Sequence, residues 1–505
     1  MNNKIYMCID LKSFYASCEC VLAHFEPLDE FLVVADMSRT EKTICLAVSP
    51  ALKSFGIPGR ARLFEVIAKV KEINKERKKR ISDHCFKGEA TSLSMFKTHP
   101  DYAINFHAAT PKMSHYINVS TTIYKIYLKY FSKDDIHVYS IDEVFIDVTD
   151  YLYALKMKPY ELAESVIKDI LFETGITATA GLGTNLYLAK VAMDIVSKHI
   201  DPTNGFRIAY LDEIEYRKKL WNHKPLTDFW RVGGGIARRL ELLGLETMGD
   251  VARCSLGSDD EYFNERLLFK EFGKNAELLI DHAWGYEPTE IKDIKAYKPK
   301  ATSISTGQVL HCGYDFQKGL LVAKEMFEGL CLDLTSKKLL AKQFSLYIGY
   351  DNDNINSNYK GDIELDHYGR ATPKPTHGGF EIKNYSSSFK ELLPLFEMLY
   401  CRVAKENLII RRINIVASNL INESTKVEKR VQLDLFTDYD KLLLAEKKEE
   451  EARNKSMNNQ KTILMIKNKY GKNSILKGMN LEDGATTIER NRQIGGHKAW
   501  KIMMI

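Results

Sequence analysis

The sequence predicts an α+β protein of several domains, and three observations carry that reading. An apolar run, Ile5–Ile9, ends in Asp10 and reads as a buried strand. The segment His137–Val148 (HVYSIDEVFIDV) is the strongest strand signal in the chain and is followed by a helix pattern and a further strand. Around Leu226–Ala252 the pattern changes to helices separated by glycines. At ~100–200 residues per domain, 505 residues make about three or four folding units. Hydrophobic residues at 45% and charged residues at 28% exclude a largely disordered or low-complexity chain.

After the first strand, SFYASCECVLAHF reads as a short helix with Ser13 as its N-cap. Phe31–Asp36 and Thr43–Val48 are apolar strand candidates. Val66–Arg80 follows, with seven Lys/Arg against two Glu, while residues 82–106 show no clear periodicity. Pro159–Thr174 is a helix: Pro159 suits its first turn, Leu162, Ala163, Val166, Ile167, Ile170 and Leu171 share one face, and Gly175 stops it. Ile176–Leu182 is a strand, and Asn185 caps a helix that runs to about Lys198. These elements make a sheet domain from residues 1–11 and 107–205, with 12–106 inserted. Residues 206–290 read as all-helical. Residues 298–420 are mixed, with strands at Ser303–Leu310, Phe344–Tyr350 and Ile410–Ala417. From 421 the chain is polar, and KKEEEARNKSMNNQK reads as a solvated helix or linker.

The net charge of +5 is too small to identify a nucleic-acid partner by itself, so local charge must carry that argument. Nine scattered cysteines make neither a zinc signature nor a disulfide framework. The N-terminus lacks a basic n-region and an apolar core, and no run of ~18 apolar residues spans a membrane. A cytoplasmic protein with reduced thiols is expected.

Asp10 at a strand end and Asp142-Glu143 within a strand signal leave two readings open: separate surface acids, or one shared site. Neighbours in a continuous strand face opposite ways, so sharing requires a hairpin turn at Asp142. Three clustered carboxylates need cations, and a set of hard oxygens without His or Cys suits Mg²⁺ or Mn²⁺. Gly233-Gly234-Gly235 between helices reads either as a plain turn or as a place where backbone N–H groups approach a phosphate, with Arg238 and Arg239 just beyond. The basic stretch is a solvated helical face or a nucleic-acid contact. Gln432-Leu433-Asp434-Leu435-Phe436 exposes three apolar groups in a polar tail, as a docking peptide would, or packs back on its own domain.

Taken together, these pieces resemble the Y-family of translesion DNA polymerases, nearest the bacterial UmuC/DinB type on its Gram-positive UmuC-like branch. The residues that carry the likeness are Asp10–Ser17 (DLKSFYAS), Ser140–Glu143 (SIDE), Gly181–Asn185 (GLGTN) and Leu188–Ala192 (LAKVA), with the glycine hairpin and the Q-L-x-L-F peptide in family order. The resemblance implies a right-hand architecture. Residues 1–11 and 107–205 would be a ferredoxin-like palm, 12–106 fingers, 206–290 a helical thumb with a helix–hairpin–helix, 298–420 an α/β little finger, and 421–505 a tail with a clamp-binding motif at 432–436.

It further implies that Asp10, Asp142 and Glu143, with the backbone carbonyl of Leu11, hold two Mg²⁺ ions (or Mn²⁺). Tyr15 stands at the steric-gate position, Lys53 and Lys198 at triphosphate-binding positions, and Gly233, Gly235, Arg238 and Arg239 at the DNA backbone. Lys198 is one residue further from Lys190 than the family pattern has it, and Pro50 stands where many members have Tyr. Gln432, Leu433, Leu435 and Phe436 would bind a sliding clamp. The implied partners are primer–template DNA, a dNTP and the clamp, for a monomeric enzyme that carries out translesion synthesis. The alternatives are a non-catalytic DNA- and clamp-binding protein that keeps the fold, and a cyclic-dinucleotide-forming enzyme, which has no use for the hairpin or the peptide.

Overall fold

The computed structural model describes residues 4–38, 41–298, 302–355, 359–366, 369–425 and 439–499. They form two compact units, one of Met1–Lys298 with His497–Ile505, the other of Pro299–Gly496.

The first unit is built on a five-stranded sheet. Its order is Arg207–Leu211, Ala178–Gly183, Tyr6–Leu11, Glu143–Asp147, Ile136–Val138. Arg207–Leu211 runs parallel to Ala178–Gly183, and the other pairs are antiparallel. Tyr6–Leu11 is central and covered on both faces, which is why it reads as continuously apolar. Met7, Ile9 and Leu11 join the core beneath helices Met113–Tyr130 and Pro159–Thr174. Tyr6 and Cys8 face the other way, among Phe145, Leu186, Ala189 and Met193.

Three sequence expectations change here. His137–Val148 is two strands joined by a turn at Tyr139–Asp142. The all-helical segment does not start at 206, because Arg207–Leu211 is an edge strand of this sheet. His107–Ala109 pairs with Leu32–Val34, so by pairing it belongs to the inserted segment. That segment carries a three-stranded sheet (Ala47–Val48, Leu32–Val34, His107–Ala109) and a parallel pair (Gly88–Ala90, Tyr102–Ile104). Both ladders are too short to show a period in sequence.

The basic stretch forms helix Leu63–Lys78 with Leu63, Val66 and Val70 buried. Part of its charge is structural. The Arg77 guanidinium lies 3.9 Å from the Phe96 ring centre and donates to the carbonyls of His99, Pro100 and Tyr102. Beyond the main sheet, helices Glu213–Leu220, Gly234–Leu242, Met248–Cys254, Glu265–Phe272 and Asn275–Trp284 share a core that includes Phe229, Leu240, Met248 and Leu268. LTDFW forms only a single 3₁₀ turn, Leu226–Asp228.

The second unit is a four-stranded antiparallel sheet in the order Ser303–Tyr314, Ile410–Asn422, Leu339–Tyr350, Thr376–Ser386. Phe344, Leu346, Ile348, Ile413 and Ile415 face helices Phe316–Ser336 and Phe389–Val403, where Phe327 and Phe396 stack with ring centres 4.1 Å apart. The other face, with Gln343, Ser345, Tyr347, His377 and Asn414, is an open depression of about 500 Å³.

The polar tail is neither linker nor free helix. Tyr439–Tyr470 is one helix, and its Gln460 is buried. Gln460 Oε1 accepts from the Phe389 amide (2.7 Å), and its Nε2 donates to the Ser387 carbonyl (2.9 Å) and to Thr335 Oγ1 (3.0 Å). Further on, buried Glu325 accepts from Asn480 Nδ2 (2.9 Å) and from the Thr486 amide (2.7 Å). A buried carboxylate held by donors from the tail makes residues 471–491 part of this unit. Glu325→Ala removes an acceptor from buried donors, at about 1.5–3 kcal/mol. Limited proteolysis of the full chain should then cut within 471–491 markedly faster than in the wild type; an unchanged pattern would contradict the packing role.

Candidate active site

Asp10 and Glu143 are partners in the antiparallel ladder, so they project from the same face. It is the face of Cys8 and Phe145, which the helix beginning at Leu186 covers. Asp142 sits in the turn. Its carbonyl accepts from the Leu11 amide (3.0 Å), and the Ser140 hydroxyl organises the turn, accepting from the Glu143 amide (3.0 Å) and donating to Asp142 Oδ1 (2.5 Å). This turn is the device that lets two consecutive acids reach one site. Paired Cα atoms stand about 4.5–5.5 Å apart and consecutive ones about 3.8 Å, so the three acidic Cα atoms lie within about 9 Å of one another. Leu11 is itself buried at the strand end.

Burial, then the charges of Glu143 and Asp142, push the Asp10 carboxyl up to about 7, against the opposing pull of Lys190 and Lys198. An anion so placed favours a cation beside it. Among the described residues no three His, Cys, Asp or Glu side chains converge as they stand on one ion position. The reason is visible in their partners. Glu143 Oε1 takes the buried Lys190 ammonium at 2.8 Å, and Asp142 takes Ser140. The donor set, three carboxylates on a strand pair and its turn, fits hard divalent ions once Glu143 exchanges Lys190 for them.

The cations arrive by close packing. A Cβ on Gly181 would lie 2.1 Å from the Ala189 carbonyl oxygen, and one on Gly183 would lie 2.3 Å from the Ala189 nitrogen. Only glycine lets this helix rest on the strand backbone, which explains the G-L-G spacing. Asn185 caps the helix by accepting from the Leu188 amide (2.9 Å). The extra residue between Lys190 and Lys198 is absorbed in a π-helical turn, Ala192–Val196. Asp194 in that turn meets Lys190 at 2.8 Å and Lys198 at 3.6 Å. Lys198 thereby stays within electrostatic reach of Asp10 and Lys53. Lys53 ends helix Pro50–Lys53 and donates to Ser13 Oγ at 2.9 Å. Burial lowers its pKa, and Asp10 and Asp142 oppose that shift. Ser13 itself has φ 48° and makes no side-chain cap, contrary to its expected role.

Tyr15 is half-buried on helix Phe14–Leu22, its ring centre 4.8 Å from that of Tyr116. Burial first, then the charge of Asp142, raises its phenol pKa. Gly233 is the N-cap of helix Gly234–Leu242, and a Cβ on Gly233, Gly234 or Gly235 would meet nothing within 4 Å. The backbone there is open to a ligand. Arg238 is exposed and makes no ion pair among the described residues, whereas Arg239 is engaged by Glu271 (3.4 Å) and the Phe272 ring (4.4 Å). Gln432, Leu433, Leu435 and Phe436 lie outside the described residues.

Sequence reasoning assigns no role to Lys190, Asp194, Lys12 or Arg60, all of which the fold brings to this site. For Lys190 the signal is its place in LAKVA, directly after Ala189, the residue that meets both glycines. For Arg60 there is none.

The impB/mucB/samB family matches residues 9–194, the stretch that contains all three acids. Over 98% of both chains, this sequence is 27% identical to UvrX of Bacillus subtilis. It is 25% identical to DNA polymerase IV 2 of Halalkalibacterium halodurans over 98% of this chain and 99% of that one. A solved Y-family DNA polymerase chimera of Dbh and Dpo4 superposes with a TM-score of 0.54 at 16% identity, over 83% of this chain and 99% of the other. Residues 9–194 carry the impB/mucB/samB family pattern, and the fold of most of the chain is that of a Y-family DNA polymerase. Its Y-family fold is multidomain, with mixed helices and sheets. No helix among the described residues is long and apolar enough to cross a membrane.

The raised Asp10 pKa gives a signed pH test. Without ions, its neutral form favours the fold, and that contribution is lost as pH rises from the unfolded value of 3.8 towards 7. Mg²⁺ needs the anion. The rise in melting temperature on adding Mg²⁺ should therefore be larger at pH 8 than at pH 6, and Asp10→Asn should abolish that difference. Equal shifts at both pH values would contradict the assignment.

Proposed function

We propose that the chain is a template-directed DNA polymerase that carries out translesion synthesis, extending a primer with dNTPs on damaged templates. The observation that supports it best is the ladder pairing of Asp10 with Glu143, with Asp142 one residue away and two lysines, Lys53 and Lys198, within electrostatic reach of Asp10. Acids beside cations match what a nucleotide triphosphate and a primer hydroxyl require: a place for metal ions next to groups that hold phosphate charge. Relatives named DNA polymerase IV add to the case.

Asp10, Asp142, Glu143 and the Leu11 carbonyl would hold two Mg²⁺ or Mn²⁺ ions, which when bound supply Lewis-acid stabilisation of the phosphoryl oxygens and of the primer oxyanion. Lys53 and Lys198 bind and orient the triphosphate and offset the charge that grows on it. Asp194 restrains both Lys190 and Lys198, so Lys190 can be released from Glu143 without leaving the site. The Tyr15 ring lies against the sugar and excludes a 2′-hydroxyl. The open amides of Gly233–Gly235, with Arg238, hold a DNA phosphate without reading sequence. Arg239, also exposed although paired with Glu271, adds a second cation beside them.

In hand terms, the five-stranded sheet is the palm, the inserted segment the fingers, the helices after Leu211 the thumb, and the second unit the little finger. The Q-L-x-L-F peptide at 432–436 binds a sliding clamp, and the protein works as a cytoplasmic monomer.

Asp142→Ala should cut primer extension with Mg²⁺ and dNTPs by on the order of 10³-fold or more while DNA affinity stays near wild type. Substantial extension by that variant would remove the metal assignment, and no extension by the wild type on either intact or abasic template would favour the non-catalytic alternative. Changing Leu435 and Phe436 to Ala should weaken clamp binding by roughly tenfold or more, because such anchors dominate small interfaces. Activity on short templates without clamp should not change. Equal clamp affinity before and after would discard the docking role.

A further inference from the structure

Glu19 is a carboxylate in an unexpected place. It is 3% exposed, in the apolar core beneath the main sheet, and the chemistry proposed above makes no use of it. Taking a charge out of water is costly, and an apolar residue of similar size would fill the space more cheaply. Two partners hold it: the Lys112 ammonium, as an ion pair, and the Tyr116 hydroxyl, which donates to Oε1 at 2.7 Å. Tyr116 is fully buried in the first turn of helix Met113–Tyr130, and Lys112 is the N-cap of that helix.

Glu19 and Tyr15 are four residues apart on helix Phe14–Leu22, so they lie on one face, one above the other. Tyr116 spans that face. Its hydroxyl is fixed by Glu19, and its ring lies 4.8 Å from the Tyr15 ring with a 45° tilt. The Tyr15 ring is thus braced by a second ring whose own position is set by a buried, charge-assisted hydrogen bond. Such bonds are stronger and more directional than packing contacts.

We infer that Glu19, Tyr116 and Lys112 form a positioning unit for the sugar gate: Lys112 pairs with Glu19 and holds it in place, Glu19 fixes the Tyr116 ring, and Tyr116 holds Tyr15 at the angle that excludes a 2′-hydroxyl. This builds on the gate role proposed for Tyr15. These three residues tune the discrimination between ribo- and deoxyribonucleotides without touching the nucleotide.

The test is the ratio of rNTP to dNTP incorporation efficiency, measured with the full-length protein on one primer–template. A general loss of folded enzyme cancels in that ratio. Tyr116→Phe deletes a single oxygen, and Glu19→Leu removes its acceptor. Each should raise the ratio by roughly 2- to 10-fold, the range to which one lost hydrogen bond converts. Glu19→Gln keeps an acceptor for the Tyr116 hydroxyl and should stay near the wild-type ratio. Tyr15→Ala sets the upper bound. If Tyr15→Ala raises the ratio but Tyr116→Phe and Glu19→Leu leave it at the wild-type value, the positioning unit is refuted and the gate stands. If Tyr15→Ala also leaves the ratio unchanged, the gate reading fails and the positioning role falls with it. Should Glu19→Leu fail to fold, Tyr116→Phe alone decides the matter.

Discussion

Mutual repulsion among Asp10, Asp142 and Glu143 is the constraint to which the first unit answers. Three carboxylates on one strand pair and its turn would drive that sheet edge apart without opposite charge nearby. The fold supplies that charge from two directions. The helix laid on Gly181 and Gly183 brings Lys190 and Lys198, and the inserted segment brings Lys53. Burial first, and then Glu143 and Asp142, still hold the Asp10 carboxyl above its ordinary range. Lys190 has a double use in this arrangement. It pairs with Glu143 at 2.8 Å and, at the same time, with Asp194 at 2.8 Å, so its charge is shared between the acid of the strand and the acid of the π turn.

Much of this was legible in the residues because it rests on local rules. Pro159 and Gly175 bound a helix whose apolar positions repeat every three or four residues, and the structure places that helix at Pro159–Thr174 with Gly175 at φ 68°. The turn demanded by consecutive acids at 142 and 143 is present, held by Ser140. What stayed hidden depends on partners distant in sequence. The strand Arg207–Leu211 exists because Ala178–Gly183 offers it an edge. His107–Ala109 pairs across the inserted segment, with too few residues to show a period. The π turn at Ala192–Val196 is the answer to one surplus residue, and no propensity marks it.

The tail shows a similar limit. Its charge pattern reads as solvated, since Lys and Glu dominate, but burial there is decided by a few polar residues. Gln460 satisfies backbone groups at Ser387 and Phe389, and Glu325 receives donors from Asn480 and Thr486. A polar helix can thus belong to a folded unit when its uncharged amides answer exposed backbone groups. Glu19 in the first unit depends on distant partners in the same way: it is buried with Lys112 and Tyr116, which come to it from the start of another helix.

The central claim is that the three acids jointly bind divalent ions beside a nucleotide. It is tested most directly by the anomalous signal of Mn²⁺ in crystals of the protein with primer–template and a non-hydrolysable nucleotide. The account predicts two peaks about 3.5–4 Å apart, both within coordination distance of Asp10 and at least one contacting Asp142 and Glu143. A bound nucleotide with no manganese near those carboxylates, or with manganese held elsewhere, would contradict it.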